Sequence, residues 1–271
     1  MRKSTVILTA AIMALATVVS MSPAQAAAYQ VTASISTVSA QSGDGPYFTG
    51  AISPGTPGKT VYLQRYYSGG WHTEATTSTD SDGDFAGLVS SEDLGFKVGS
   101  MKFRAKVIGS GSYTSGASSS ITKTIYGWQS LAYMDAIYGD SRRYFDGNDE
   151  FTVDETTADD SWQIKDPQVG VIGTRYTKWD LQKKCIKLQG FAGIDDFDSV
   201  PGAEGRFIIS MDGTAHDTGE NYVLGDIRHL EEPLYNTQYL ALKAYKNNGN
   251  ATTIGVGEPE VLCSKKLPEN F

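Results

Sequence analysis

Three histidines, at positions 72, 216 and 229, and two cysteines, Cys185 and Cys263, are the whole supply of imidazole and thiol groups in this chain. None sits in a spacing that builds a zinc site or a redox pair, and no C-x-x-C or H-E-x-x-H run occurs. A G-x-S-x-G elbow, a P-loop and a dinucleotide fingerprint are also missing. Carboxylates are abundant, with 31 Asp and Glu, and two of them could in principle hydrolyse a glycosidic bond. Their close pairs fall in turns and acidic loops, where numbers alone supply them. The expectation is a non-catalytic protein.

Asp80, Asp82 and Asp84 alternate around Gly83, which is how a calcium loop presents oxygens. The further glycine and the distant bidentate Glu of such a loop are missing. An Asp-Gly hairpin turn, needing only a positive φ at the glycine, is the competing reading.

These residues need elements to hold them, and the chain opens with a segment that is not one of them. Arg2 and Lys3 precede an apolar run from Val6 to Met21, then Pro23 and the small residues Ala24-Gln25-Ala26. This predicts a secretory signal peptide over 1–26 and an exported, extracellular protein beginning near Ala27. No later stretch reaches the roughly 20 apolar residues of a membrane span, so no membrane insertion is expected. Export favours joining Cys185 to Cys263 in a disulfide, against the alternatives of a catalytic thiol or half of a metal site.

The net charge is −8, and losing Arg2 and Lys3 makes it more negative. That excludes a phosphate-neutralising surface over the whole molecule, so nucleic acid is not expected as a partner, and neither is an anionic membrane. The charge is unevenly spread: residues 27–125 carry seven acids and seven bases, and 126–271 carry 24 acids against 14 bases. Two units with different surfaces are expected, 27–125 and 126–271, joined through the Ser/Gly-rich stretch that follows Gly109.

In the first unit, period-two alternation predicts strands at 29–38, 47–52, 60–67, 71–77, 84–89, 101–108 and 119–125, separated by Gly, Pro and Asp turns. Seven short strands in about 100 residues suggest an immunoglobulin-like sandwich. The run Gly50 to Tyr66, containing Leu63-Gln-Arg65, followed by Gly70-Trp71 and Asp82-Gly-Asp-Phe85, resembles Ig-like modules of bacterial secreted proteins. That resemblance implies a spacer or a second contact surface.

The second unit reads as strands at 168–172, 176–181, 185–194, 205–211, 222–230, 239–245 and 253–262, with 128–138 ambiguous between a helical turn and extended chain. A second antiparallel sandwich follows, making the protein all-β. The motifs Lys178-Trp-Asp-Leu181, Cys185 to Asp195-Asp196, Gly205 to Asp212-Gly213 and Tyr239-Leu-Ala-Leu-Lys243 together resemble NPCBM-type carbohydrate-binding modules. The resemblance implies a jelly-roll fold and a glycan or cell-wall polysaccharide as ligand. Arg175 stands where the family usually carries a loop histidine.

A sugar site needs an aromatic face for the apolar side of a pyranose and polar side chains for its hydroxyls. Trp162, Tyr176, Trp179 and Tyr222 are the aromatic candidates; Arg175, Asp195, Asp196, Glu220 and Asn221 are the polar ones. Each has a plainer reading: Trp179 alternates with Asp180 as a core residue would, and Asp195-Asp196 could cap a turn. Related modules hold a structural calcium, and Asp146, Asp149, Glu150 and Asp154 offer hard oxygens at close spacing; a solvated acidic loop is the alternative. No other cofactor is required. A second partner class is another extracellular protein, bound by a surface whose sugar pocket has drifted.

Overall fold

The structure, a computed structural model, describes residues 26–36, 45–90, 92–95, 97–139, 142–144, 151–153, 156–158, 160–165, 167, 176–217 and 221–269. Residues 1–25 of the signal-like segment 1–26 and the strand expected at 168–172 lie outside them. The described chain is all strand and turn, and its buried apolar side chains gather in two large separate clusters.

The first cluster fills a sandwich. Gln30–Ile35, Tyr47–Ser53 and Asp84–Leu88 form one antiparallel sheet. Thr60–Tyr67, Gly70–Ser78, Gly99–Val107 and Ile121–Ile125 form the other. Strands one, two and five of the seven thus face three, four, six and seven. Alternation sets the faces: in Gly99–Val107, Phe103, Ala105 and Val107 are buried while Lys102 is exposed. Phe48 and Phe103 meet edge to face across the two sheets, with centroids 5.9 Å apart. The Asp80 to Asp84 segment is a turn. Asp80 Oδ1 accepts the N–H groups of Asp82 and Asp84 at 3.0 Å, and Gly83 takes φ 88°, where a Cβ would collide with the Gly55 backbone.

The second cluster fills another two-sheet sandwich. One sheet runs Arg142–Tyr144, Ser161–Lys165, Thr253–Cys263, Cys185–Ile194 and Ile227–Pro233, with Gly127–Ser130 also paired to Thr253–Cys263. The other runs Ala136–Gly139, Tyr176–Asp180, Tyr239–Lys246, Glu204–Met211 and Thr214–Asp217, with Tyr222–Val223 paired to Glu204–Met211. From Ser161–Lys165 onward the chain passes back and forth between the sheets, which is how a jelly roll winds.

Cys185 and Cys263 are register partners on neighbouring strands and form a buried disulfide. One open reading is resolved and two expectations are corrected. The ambiguous stretch 128–138 is not helical: Gly127–Ser130 and Ala136–Gly139 are strands in opposite sheets, joined by a turn in which Tyr133 N–H donates to Ser130 O. The strand expected at 222–230 is broken at Gly225, φ 88°, into Tyr222–Val223 and Ile227–Pro233. The acidic segment is not wholly a solvated loop, because Phe151–Val153 pairs with Thr156–Ala158 and buries Val153 and Ala158 against Phe191. No helix among the described residues is long and apolar enough to cross a membrane.

Candidate functional site

Register places one set of loops at a common end of the second sandwich. Tyr176 opens its strand opposite Lys243, Gly205 faces Lys246, Glu204 faces Val223, and Asp195 N–H donates to Thr253 O. The segments around Asp195, Asn221 and 247–252 therefore share that end with Tyr176. They are tied together: Asn248 and Asn250 donate side-chain N–H groups to Gly202 O at 2.8 and 2.7 Å, and Ser199 Oγ accepts Thr253 N–H.

The aromatic residues expected here divide sharply. Trp162, Trp179 and Tyr222 are corrections: each is 0% exposed. Trp162 packs edge to face on Phe207, Trp179 lies in the same cluster, and the Arg228 guanidinium covers the Tyr222 ring at 4.9 Å. A ring buried on both faces has no surface left for a pyranose. Their inward direction follows from strand alternation, and for Trp179 the core reading of its spacing with Asp180 is the one realised.

Asp195 is a second correction. Its carboxylate is buried, and Oδ1 accepts the N–H groups of Phe197 and Asp198 at 2.9 and 2.7 Å. It holds the loop's turn rather than facing solvent. Asp196 is partly buried beside it and Asn221 is exposed. Arg175 and Glu220 lie outside the described residues, as do Asp146, Asp149, Glu150 and Asp154. Among the described residues, no three His, Cys, Asp or Glu side chains gather as a metal would require.

Tyr176 alone of the four aromatic candidates reaches the surface, and it does so on the outer face of its sheet. Its ring stacks on Tyr138, with centroids 4.5 Å apart and planes at 27°, and Tyr138 is 49% exposed. Across the neighbouring strand, Lys243 Nζ stands 5.7 Å from the Tyr176 centroid. Lys178 Nζ lies 4.1 Å over the ring of Tyr239, which is 37% exposed. Register puts Ala241 and Ser210 in line with Lys178, and Ile208 in line with Lys243. These three are buried although they point outward, so they form a floor beneath the long side chains. The result is a face with three tyrosines and ammonium donors at Lys178 and Lys243, bordered by Asp180, whose Oδ1 accepts Gln182 N–H and a Gln238 side-chain N–H. That combination offers C–H stacking and hydroxyl hydrogen bonds side by side.

Tyr138 and Tyr239 were missed at the level of sequence. Tyr138 sits at the end of the ambiguous stretch, so its face had no assigned direction. Tyr239 heads a strand whose outward positions, 239, 241 and 243, were a signal that alternation could have supplied.

No protein-family model matches this chain, and no curated protein matches it either. Among solved structures, it is similar to the CBM51-2 and INT domains of Clostridium perfringens ZmpB, at 12% identity and TM-score 0.39, over 62% of this chain and 38% of that one. It is also similar to CBM51 from Clostridium perfringens GH95, solved with methyl-galactose, at 15% identity and TM-score 0.39, over 50% of this chain and 99% of that one. A third is the CBM22-1 xylan-binding domain of Paenibacillus barcinonensis Xyn10C, at 13% identity and TM-score 0.29, over 52% of this chain and 88% of that one. The chain thus spans well under two thirds of the first of these. With likeness this distant, the ligand of this chain must be argued from its own side chains.

Proposed function

We propose that this is an exported, non-catalytic protein whose second sandwich binds a glycan, with the outer face around Tyr138, Tyr176 and Tyr239 as the contact surface. The observation that carries the reading is the stacked, solvent-facing pair Tyr138 and Tyr176 beside the Lys178–Tyr239 contact. A pyranose ring laid on such a pair covers its apolar face, while Lys178 and Lys243 meet its hydroxyls. The NPCBM-like motifs of residues 126–271 support the same reading. The signal-like segment 1–26 supports an extracellular setting, and the first sandwich then serves as spacer or second contact.

The test is a glycan array probed with residues 27–271, with calcium and again with chelator. A selective signal lost on Tyr176→Ala supports the reading. Loss on chelation assigns a metal to the acidic segment that holds Asp146, Asp149, Glu150 and Asp154. A blank array from folded protein overturns glycan binding for the sugars displayed.

A protein partner is the second reading, and one feature favours it. Phe197 is 80% exposed on the loop after Asp195, with Val200 41% exposed beside it. An apolar tip held by a tied loop is a surface that a protein pocket can accept.

A further inference from the structure

At the opposite end of the second sandwich, the 11-residue strand Thr253–Cys263 carries the chain roughly 35 Å from the loops described above and delivers it against the first sandwich. A cleft of about 800 Å³ opens there. The first sandwich contributes Arg65, Tyr66, Tyr67 and the run from Lys97 to Lys102; the second contributes Ser264, Lys265 and Lys266. The walls are close at their base, since a Cβ on Gly127 would touch Val98 and one on Gly99 would lie 3.4 Å from Ser264 O.

The charge of this cleft runs against that of the chain. Its lining holds five cationic side chains and no carboxylate, in a protein of net charge −8. Three of the five are engaged. Arg65 pairs with Glu74 at 3.1 Å, Lys266 pairs with Glu269 at 3.0 Å, and Lys265 donates to Gln182 Oε1 at 2.9 Å. The side chains of Lys97 and Lys102 are exposed and make no ion pair or hydrogen bond with any described residue. Lys183 and Lys184 extend the rim, exposed on the turn whose Lys184 O accepts Ser264 N–H.

Aromatic rings continue the same surface. Tyr66 and Tyr67 are 43% and 39% exposed. But His72 stacks on the Tyr67 ring at 3.9 Å and the Arg65 guanidinium lies over it at 4.6 Å, which leaves Tyr66 as the ring that can meet a ligand. Tyr66 meets Trp71 edge to face at 5.3 Å, Arg104 covers Trp71 at 4.3 Å, and Lys102 is the register partner of Tyr66. An exposed ring beside ammonium groups suits a chain of sugar rings carrying negative charge, with Tyr66 for a pyranose face and lysines for the anions. The excess of negative charge lies in residues 126–271, so most of the second sandwich repels a long polyanion while this cleft attracts one.

We infer that this cleft between the two sandwiches binds an anionic polysaccharide, a site separate from the sheet face proposed above and independent of it. Carboxylate-bearing and phosphodiester-bearing glycans share the required chemistry.

Native affinity electrophoresis of residues 27–271 tests this, with polygalacturonate, a poly(glycerol phosphate) polymer, neutral dextran and single-stranded DNA embedded in separate gels. Retardation by polygalacturonate or by the phosphate polymer, weakening as salt rises, is expected, and whichever acts identifies the source of the anion. Lys97→Ala with Lys102→Ala should lower that affinity roughly tenfold and leave thermal unfolding unchanged. Tyr176→Ala should leave it unchanged, which separates this site from the sheet face. Equal retardation by DNA or dextran, indifference to the lysine substitutions, or lysine-dependent self-association at low salt would overturn the inference.

Discussion

Tyr138 and Tyr176 stack 4.5 Å apart on the outer face of one sheet, while Trp179, three residues beyond Tyr176 on the same strand, is sealed in the core. Strand alternation separates the two roles. A side chain that could meet a sugar and one that holds the sandwich together stand on opposite faces of five residues.

Substituting either member of this outer-face pair, Tyr138 exposed and Tyr176 half-buried, should therefore affect binding and spare the fold. Tyr176→Ala or Tyr138→Ala is expected to weaken glycan binding roughly tenfold, through loss of stacking and apolar contact. Titration calorimetry with an array-selected sugar, beside thermal unfolding, reads both quantities. A large fall in unfolding temperature with unchanged affinity would contradict the assignment.

Trp179→Ala should do the reverse. Removing a fully buried indole leaves a cavity and costs about 3–5 kcal/mol. Urea unfolding of the variant reads this as a lower midpoint. A variant of unchanged stability that no longer bound sugar would return Trp179 to the binding role its residue type first suggested.

Much of the architecture was legible because it rests on alternation. Phe103, Ala105 and Val107 in the first unit and Leu240 and Leu242 in the second each declare an inward face by period two. The two cysteines, alone in the chain and behind a signal-like segment, pointed to the pairing that the structure holds. The site was less legible for a physical reason. Tryptophan and tyrosine serve as core filling and as sugar platforms with the same apolar ring, and composition cannot separate the two. Direction can, where the strand is recognised, and Tyr138 lies where it was not. Asp195 shows the same ambiguity for carboxylates: an acid at a strand end serves a turn's N–H groups as readily as a ligand's hydroxyls.

Joining Cys185 to Cys263 closes a loop of sequence separation 78 and links two register partners. Chain-entropy arithmetic assigns such a loop about 4.5 kcal/mol of stabilisation relative to the reduced protein. Denaturant unfolding with and without reductant should show the difference. Identical midpoints would mean that the bond is not formed in the folded protein.

Glu260 supplies a pH signature. Burial pushes its carboxyl above the ordinary value, against the hydrogen bond donated by Gln189, and the Glu258 and Asp160 charges push it the same way as burial. The folded chain thus keeps this proton longer than the unfolded one. Its contribution is fully present below the ordinary carboxylate range and is lost as pH rises through the raised folded value. Glu260→Gln should accordingly stabilise the protein at about pH 7 and show little of that gain near pH 4. Thermal unfolding across this range checks it, and an equal effect at both ends would contradict the burial argument.

The central claim is that sugar lies on the outer face of the second sandwich. Amide NMR of residues 27–271, titrated with an array-selected neutral sugar, tests it most directly. The account predicts shifts concentrated on Ala136–Gly139, Tyr176–Asp180 and Tyr239–Lys246. Shifts confined to the Phe197 loop or to the cleft around Lys97 and Lys265, with those three strands unmoved, would contradict it.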